Sequence, residues 1–240
     1  MENNATKQSD DLYKVDGGKA YHEAIHGGLG PYGYSLLAER RAAKLQPYIS
    51  TKDEILEYGV GPGWNLAKIN AKKLKGFDIA SAIRPVVEEQ GIEFVEEITS
   101  KDFAAYDIVI CSHVLEHLIT PTDALTTIFN CLKPNGKALL FVPFDVGSIF
   151  RKYDADEPNH HLYGWSVQSF GNLVTLSGFT ILEGKLRRFG YERIIAKWIE
   201  RLRLPRWMYT FLLRIALFIK PEYEIAFVVT KSALFQNDRF

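Results

Sequence analysis

From about residue 54 onward, short apolar runs alternate with stretches of helical spacing, and no other feature of the chain limits its folding so sharply. Strands joined through helical crossovers pair in parallel, so the alternation predicts an α/β sheet covered by helices. The runs are Glu54–Tyr58, Leu74–Phe77, Ile92–Val95, Asp107–Cys111 and Lys137–Val142. The β-branched stretch Asp-Ile-Val-Ile-Cys suits a strand buried on both faces. Two late strands are expected over 179–190 and 223–231, with a helical insert over about 191–220 between them. Ahead of the alternation lie a polar lead-in and a segment rich in Gly and Tyr. A helix follows, with Leu36, Leu37, Ala43, Leu45 and Tyr48 on its apolar side. This divides the chain into an N-terminal segment and helical cover, 1–50, and a main domain, 51–240.

Local signals fix several element ends. Thr120 is expected to cap a helix that has Pro121 at its first position and Asp123 at the positive end of its dipole. Ser166 is expected to cap another, stopped by Gly178. Ser81 is expected to cap the helix after the second strand. Lys133-Pro134-Asn135-Gly136 reads as a turn, and a helix is expected from Trp64.

Lys plus Arg and Asp plus Glu number 29 each. A neutral chain lacks the basic footprint of a nucleic-acid binder. Cys111 and Cys131 form no C-x-x-C pair, so no zinc cluster is expected. The polar N-terminus has no apolar core of a secretory signal, which makes the cytoplasm the expected compartment.

The first strand ends in Gly59-Val60-Gly61-Pro62-Gly63. Glycines there allow a sharp turn and a close approach of ligand to backbone. Asp78 closes the second strand about 20 residues on, the spacing at which a carboxylate accepts hydrogen bonds from ribose hydroxyls. Trp64 occupies the place of the third glycine of the dinucleotide pattern, which argues against NAD or FAD and hence against a nucleotide-dependent oxidoreductase. A nucleoside is the ligand these features fit; a plain tight turn with Asp78 as a helix cap is the alternative.

Four ordered segments resemble class I S-adenosylmethionine (SAM)-dependent methyltransferases. Glu57-Tyr58-Gly59-Val60-Gly61-Pro62-Gly63 resembles the family's first motif, with Glu57 where an Asp is usual. Phe77-Asp78-Ile79-Ala80 is similar to the segment closing its second strand. Tyr106 to His117 resembles its fourth-strand motif, including Val-Leu-Glu-His, a signature of small-molecule and glycan-modifying branches. Leu132-Lys133-Pro134-Asn135-Gly136-Lys137 resembles the turn before its fifth strand. The resemblance implies a Rossmann-like, mostly parallel seven-stranded sheet with helices on both faces and the last strand antiparallel. It implies SAM as cofactor and S-adenosylhomocysteine as product. Glu57, Gly59, Gly61 and Gly63 would hold the methionine part, Asp78 and Ile79 the ribose, Glu97 and Ile98 the adenine. Ser112 and His113 would line the floor near the sulfonium.

Methyl transfer from a sulfonium is an in-line displacement that needs placement and exclusion of water, and no metal. A hydroxyl acceptor also needs a base, for which His is suited near neutral pH. His160 and His161 are the candidates, with a solvated loop as the alternative; His161 better fits a His that precedes a Ser/Thr helix start in those branches. His117 reads as structural, tying its helix to neighbouring loops. Tyr21, Tyr32 and Tyr34 form either a lid or a packed cover. Between Lys185 and Lys220 stand ten Lys or Arg and two acids, with Ile194, Ile195, Trp198, Ile199 and Leu202 at helical spacing. That insert suits peripheral contact with a membrane, packing on the sheet edge, or a homodimer contact. The expected activity is O-methylation of a small molecule, glycan or lipid-linked compound; the alternative is a catalytically silent binding or assembly module.

Overall fold

The computed structural model describes residues 28–144 and 161–232. Seven strands form one mixed sheet in the order β3-β2-β1-β4-β5-β7-β6. They are β1 (Glu54–Tyr58), β2 (Lys73–Phe77), β3 (Glu93–Val95), β4 (Tyr106–Ser112), β5 (Leu132–Pro143), β6 (Phe179–Phe189) and β7 (Glu222–Lys231). β1 pairs in parallel with β2, β2 with β3, and β4 with β5, while β7 runs antiparallel to β5. Among the described residues the α-helices are α1 (Pro31–Leu45), α2 (Arg84–Glu89), α3 (Pro121–Cys131), α4 (Val167–Leu176), α5 (Glu192–Arg201) and α6 (Arg206–Ile219). The expected strands are all present, each within a residue or so of its expected bounds, apart from the earlier start of β5.

Contacts group the described residues into two compact units, one with 98–144, 161–187 and 224–232, the other with 28–97 and 188–223. In the first, Ile108 to Cys111, Leu139, Leu140, Ile225 and Val229 are buried, as the apolar run of β4 requires. In the second, Ile55, Leu56, Leu66, Val87 and Ile92 form the buried strand–loop core. A separate apolar cluster joins Leu36 of α1 to Ile195, Ala196 and Ile199 of α5 and Tyr209, Leu213 and Leu217 of α6.

Four local expectations are corrected. No α-helix begins at Trp64: Leu66 and Ala67 donate to Gly63 O, Ile69 to Leu66 O, and the stretch stays in turns. A five-residue strand rises about 17 Å, and a helix needs about 11 residues to run back that far. The stretch between Gly63 and Lys73 is shorter, and it carries Asn65 and Asn70, which compete with helix through their own side chains. Ser81 does not cap; Ala80 holds that position, without a side-chain bond, ahead of a short 3₁₀ turn. Thr120 is the residue before α3 but its side chain caps nothing, while Pro121 and Asp123 stand where expected. Ala43 is exposed and Ala42 buried, because Ala38, Ala42 and Leu45 share one helical face.

Other signals read correctly. Ser166 and Ser169 form a reciprocal cap at α4, and Gly178 follows that helix with φ 96°. The turn at Lys133–Gly136 lies inside β5 as an excursion: Tyr106 pairs with Leu132, and Ile108 pairs next with Lys137. Asn135 supplies the positive φ of 64° that this detour needs.

Candidate functional site

Two polar clusters stand at the carboxyl ends of β1 and β4, and each is built within one unit. The first is the glycine turn after β1. Gly59, Gly61 and Gly63 have φ of 79°, 51° and 81°, a region that favours glycine. The amides of Gly59 and Val60 donate to Phe77 O at 2.8 and 2.9 Å. Gly61 N–H donates to Asp78 Oδ2 at 2.9 Å and Ala80 N–H to Asp78 Oδ1 at 3.0 Å. Asp78 therefore pins the loop to the end of β2, and each of its oxygens keeps a further lone pair. Ile79 beside it is exposed. The Tyr34 hydroxyl donates to Pro62 O at 3.0 Å, so α1 is fastened to the turn.

Beneath the turn, Glu57 is fully buried. Asn65 Nδ2 donates to its Oε1, and its Oε2 has no partner among the described residues. Burial pushes the carboxyl up to about 8; the Asn65 bond and the charges of Arg41 and Lys44 only partly offset it. At neutral pH Glu57 is therefore mostly protonated and can donate as well as accept. Gly76 in β2 makes room for the turn, since a Cβ there would lie 2.5 Å from Val60 Cγ2. Asn65 and Gly76 were not singled out by sequence. Asn65 lies in the stretch expected to be helix, and Gly76 carries no local sign that Val60 packs on it.

The second cluster follows β4. Ser112 ends the strand half-buried. His113 has a left-handed φ of 57° and donates its amide to Phe141 O at 2.9 Å. Its ring stands between two buried carboxylates, Glu224 Oε2 at 3.2 Å from Nε2 and Glu116 Oε1 at 3.5 Å from Nδ1. Burial alone would lower the imidazole's pKa, but hydrogen bonds and charge from Glu116 and Glu224 hold it above the ordinary value. Burial likewise opposes ionisation of Glu116, and the bond to His113 with the charges of His113 and His117 outweighs it, keeping that carboxyl low.

The chain after the undescribed stretch returns to this cluster. Leu162 and Tyr163 donate their amides to Glu116 O, and the Tyr163 hydroxyl donates to Ile119 O at 2.8 Å. Trp165 stacks on Tyr163. His161 is thereby held edge-on to His117, with ring centroids 5.0 Å apart. One ligand-type atom from each of Glu116, His117 and His161 lies within 4.8 Å of the others. Such a group can relay a proton or hold a divalent cation. His160 and Tyr21 lie outside the described residues. Glu97 is exposed and Ile98 half-buried in the bend after β3, with no feature of their own that marks a ligand.

A methyltransferase-domain family profile matches residues 32–183, more than half of the chain. The chain belongs to the methyltransferase-domain family. No curated protein matches it. Among solved structures, this methyltransferase domain is similar to a candidate methyltransferase from Bacillus halodurans, at 18% identity and TM-score 0.59, covering 80% of this chain and 99% of that one. It is similar to phosphoethanolamine N-methyltransferase 2 of Haemonchus contortus in complex with SAM, at 15% identity and TM-score 0.60, covering 95% and 60%. It is also similar to the [4+2]-cyclase SpnF, at 14% identity and TM-score 0.59, covering 95% and 96%. At these identities the likeness speaks for the fold.

Proposed function

We propose that this chain transfers the methyl group of SAM to an oxygen of a small-molecule, glycan or lipid-linked acceptor, releasing S-adenosylhomocysteine. The observation that carries the reading is the glycine turn pinned to Asp78 above the buried Glu57. A loop with three left-handed glycines can be approached closely, and Glu57 Oε2 is a buried polar atom with no partner among the described residues. These groups fit a ligand that brings both hydroxyls and a positive charge. SAM, when bound, supplies a methyl group already activated by its sulfonium. The Gly59–Gly63 turn with Glu57 holds the amino-acid end in this reading, Asp78 and Ile79 the ribose, and Glu97 with Ile98 the adenine. Ser112 and His113 line the floor near the sulfonium in this reading.

For a hydroxyl acceptor, His161 takes the proton, and the nearby Glu116 carboxylate stabilises the charge that results. The cytoplasm is the proposed compartment, and the free thiols of Cys111 and Cys131 suit it. Titration calorimetry with SAM and S-adenosylhomocysteine tests the reading, with Asp78→Ala and Asp78→Asn as controls. Binding of both ligands, weakened in the variants, supports it; no binding of either to folded protein overturns it. The likeness to a [4+2]-cyclase keeps a second reading in view, a catalytically silent binding or assembly module on this fold. Tight SAM binding with no transfer of labelled methyl to any hydroxyl acceptor favours that second reading.

A further inference from the structure

We propose that the α5–α6 hairpin is a docking surface for an anionic lipid membrane. The hairpin carries two apolar stripes where packing needs one. On α5, Ile195 and Ile199 are buried in the helical cluster, while Ile194, Trp198 and Leu202 point outward at four-residue spacing. On α6, Tyr209, Leu213 and Leu217 are buried, while Trp207, Phe211, Ile215, Phe218 and Ile219 are exposed. Trp198, Trp207 and Phe218 are 60%, 65% and 79% exposed. A helix that serves packing alone keeps its large apolar residues on the buried face. Apolar groups that recur on the outer face mark a place where something else covers them.

Charge identifies that occupant. The hairpin's two acids are turned inward: Glu192 pairs with Arg41 at 2.9 Å, and Glu200 accepts from the amides of Gly30 and Tyr32. Helix α6 contains no acid. Arg201, Arg203 and Arg214 are exposed around the apolar stripes. Trp and large aliphatics flanked by arginines match the interface of an anionic bilayer, where rings sit at headgroup depth and guanidinium groups meet phosphates. A second copy fits less well, because a two-fold contact sets this surface against itself and brings like charges together. No helix among the described residues is long and apolar enough to cross a membrane, so the hairpin lies on the bilayer.

The test is flotation of the full chain with vesicles of phosphatidylcholine alone or with about a third phosphatidylglycerol. The expected result is binding to the anionic vesicles, at least tenfold weaker in 0.5 M salt, with a blue shift of Trp fluorescence. Trp198→Ser with Trp207→Ser and Phe218→Ser should abolish binding and the shift. Arg201→Glu with Arg203→Glu and Arg214→Glu should remove the preference for anionic lipid. These side chains are exposed, so both variants should keep the wild-type circular dichroism and melting temperature. Folded wild-type protein that ignores anionic vesicles overturns the proposal. So does light scattering that shows a dimer dissolved by the apolar substitutions without any lipid binding.

Discussion

Glu57→Gln tests the electrostatics beneath the glycine turn. In the folded chain the Glu57 carboxyl rises from 4.5 to about 8, because burial withholds water from the charged form. At 1.36 kcal/mol per pH unit, that difference corresponds to about 4–5 kcal/mol between the acid and alkaline limits. The sign follows from proton uptake. Between pH 4.5 and 8 the folded state keeps this proton and the unfolded state has lost it. The contribution is full below 4.5 and falls as pH rises through about 8. Between pH 5.5 and 7.5 this one group should remove about 2–3 kcal/mol of stability. Gln imitates the protonated acid, still accepts from Asn65, and does not titrate. Urea unfolding of wild type and Glu57→Gln across that range measures the difference. The variant should be the more stable at pH 7.5, and the gap should close toward pH 5. Parallel pH curves for the two proteins would refute the assignment. A cationic ligand that ionises Glu57 on binding should also release a proton at pH 7, seen as calorimetric heats that change with the buffer.

Asp78→Ala should weaken SAM binding at least tenfold and lower the melting temperature, because it frees both Gly61 N–H and Ala80 N–H; calorimetry and a thermal scan read the two effects. His161→Ala should lower turnover on a hydroxyl acceptor about 10²–10⁴-fold and leave SAM affinity unchanged, and a chelator should not slow the wild type. Activity lost to chelator and restored by Mg²⁺ or Mn²⁺ would replace the proton-acceptor role with a cation on Glu116, His117 and His161. Gly76→Ala should destabilise the fold by about 1–3 kcal/mol through its clash with Val60, and Val60→Ala should relieve most of it in denaturant titration. Glu224→Gln should lower the His113 pKa, followed by NMR of the ring protons; the stability His113 lends below its unfolded pKa, and loses as pH rises through its raised folded value, should shrink with it.

Patterns of short range determined a large part of this molecule. The β-branched run at Asp107–Cys111, the glycines at 59, 61 and 63, the Ser166 cap and Pro121 each act on their own backbone or immediate neighbours, so their sequence meaning survives folding. Apart from the caps expected at Ser81 and Thr120, the places where that reading failed share one cause. Whether Trp64 opens a helix depends on how far the chain must run back to β2. Whether Ala42 or Ala43 is buried depends on where the neighbouring helix lies. The insert's apolar residues were visible, but periodicity alone cannot say that Ile195 and Ile199 pack inward while Ile194 and Trp198 face outward. Only the tertiary structure brought Glu224 at the start of β7 against His113, and His161 against His117. Those pairings join positions far apart in the chain, where no local spacing constrains them. The sequence by itself determined the strands, the glycine turn and the identity of its acids. The folded chain decided which buried carboxyl keeps its proton, because that depends on water excluded by residues from several elements at once.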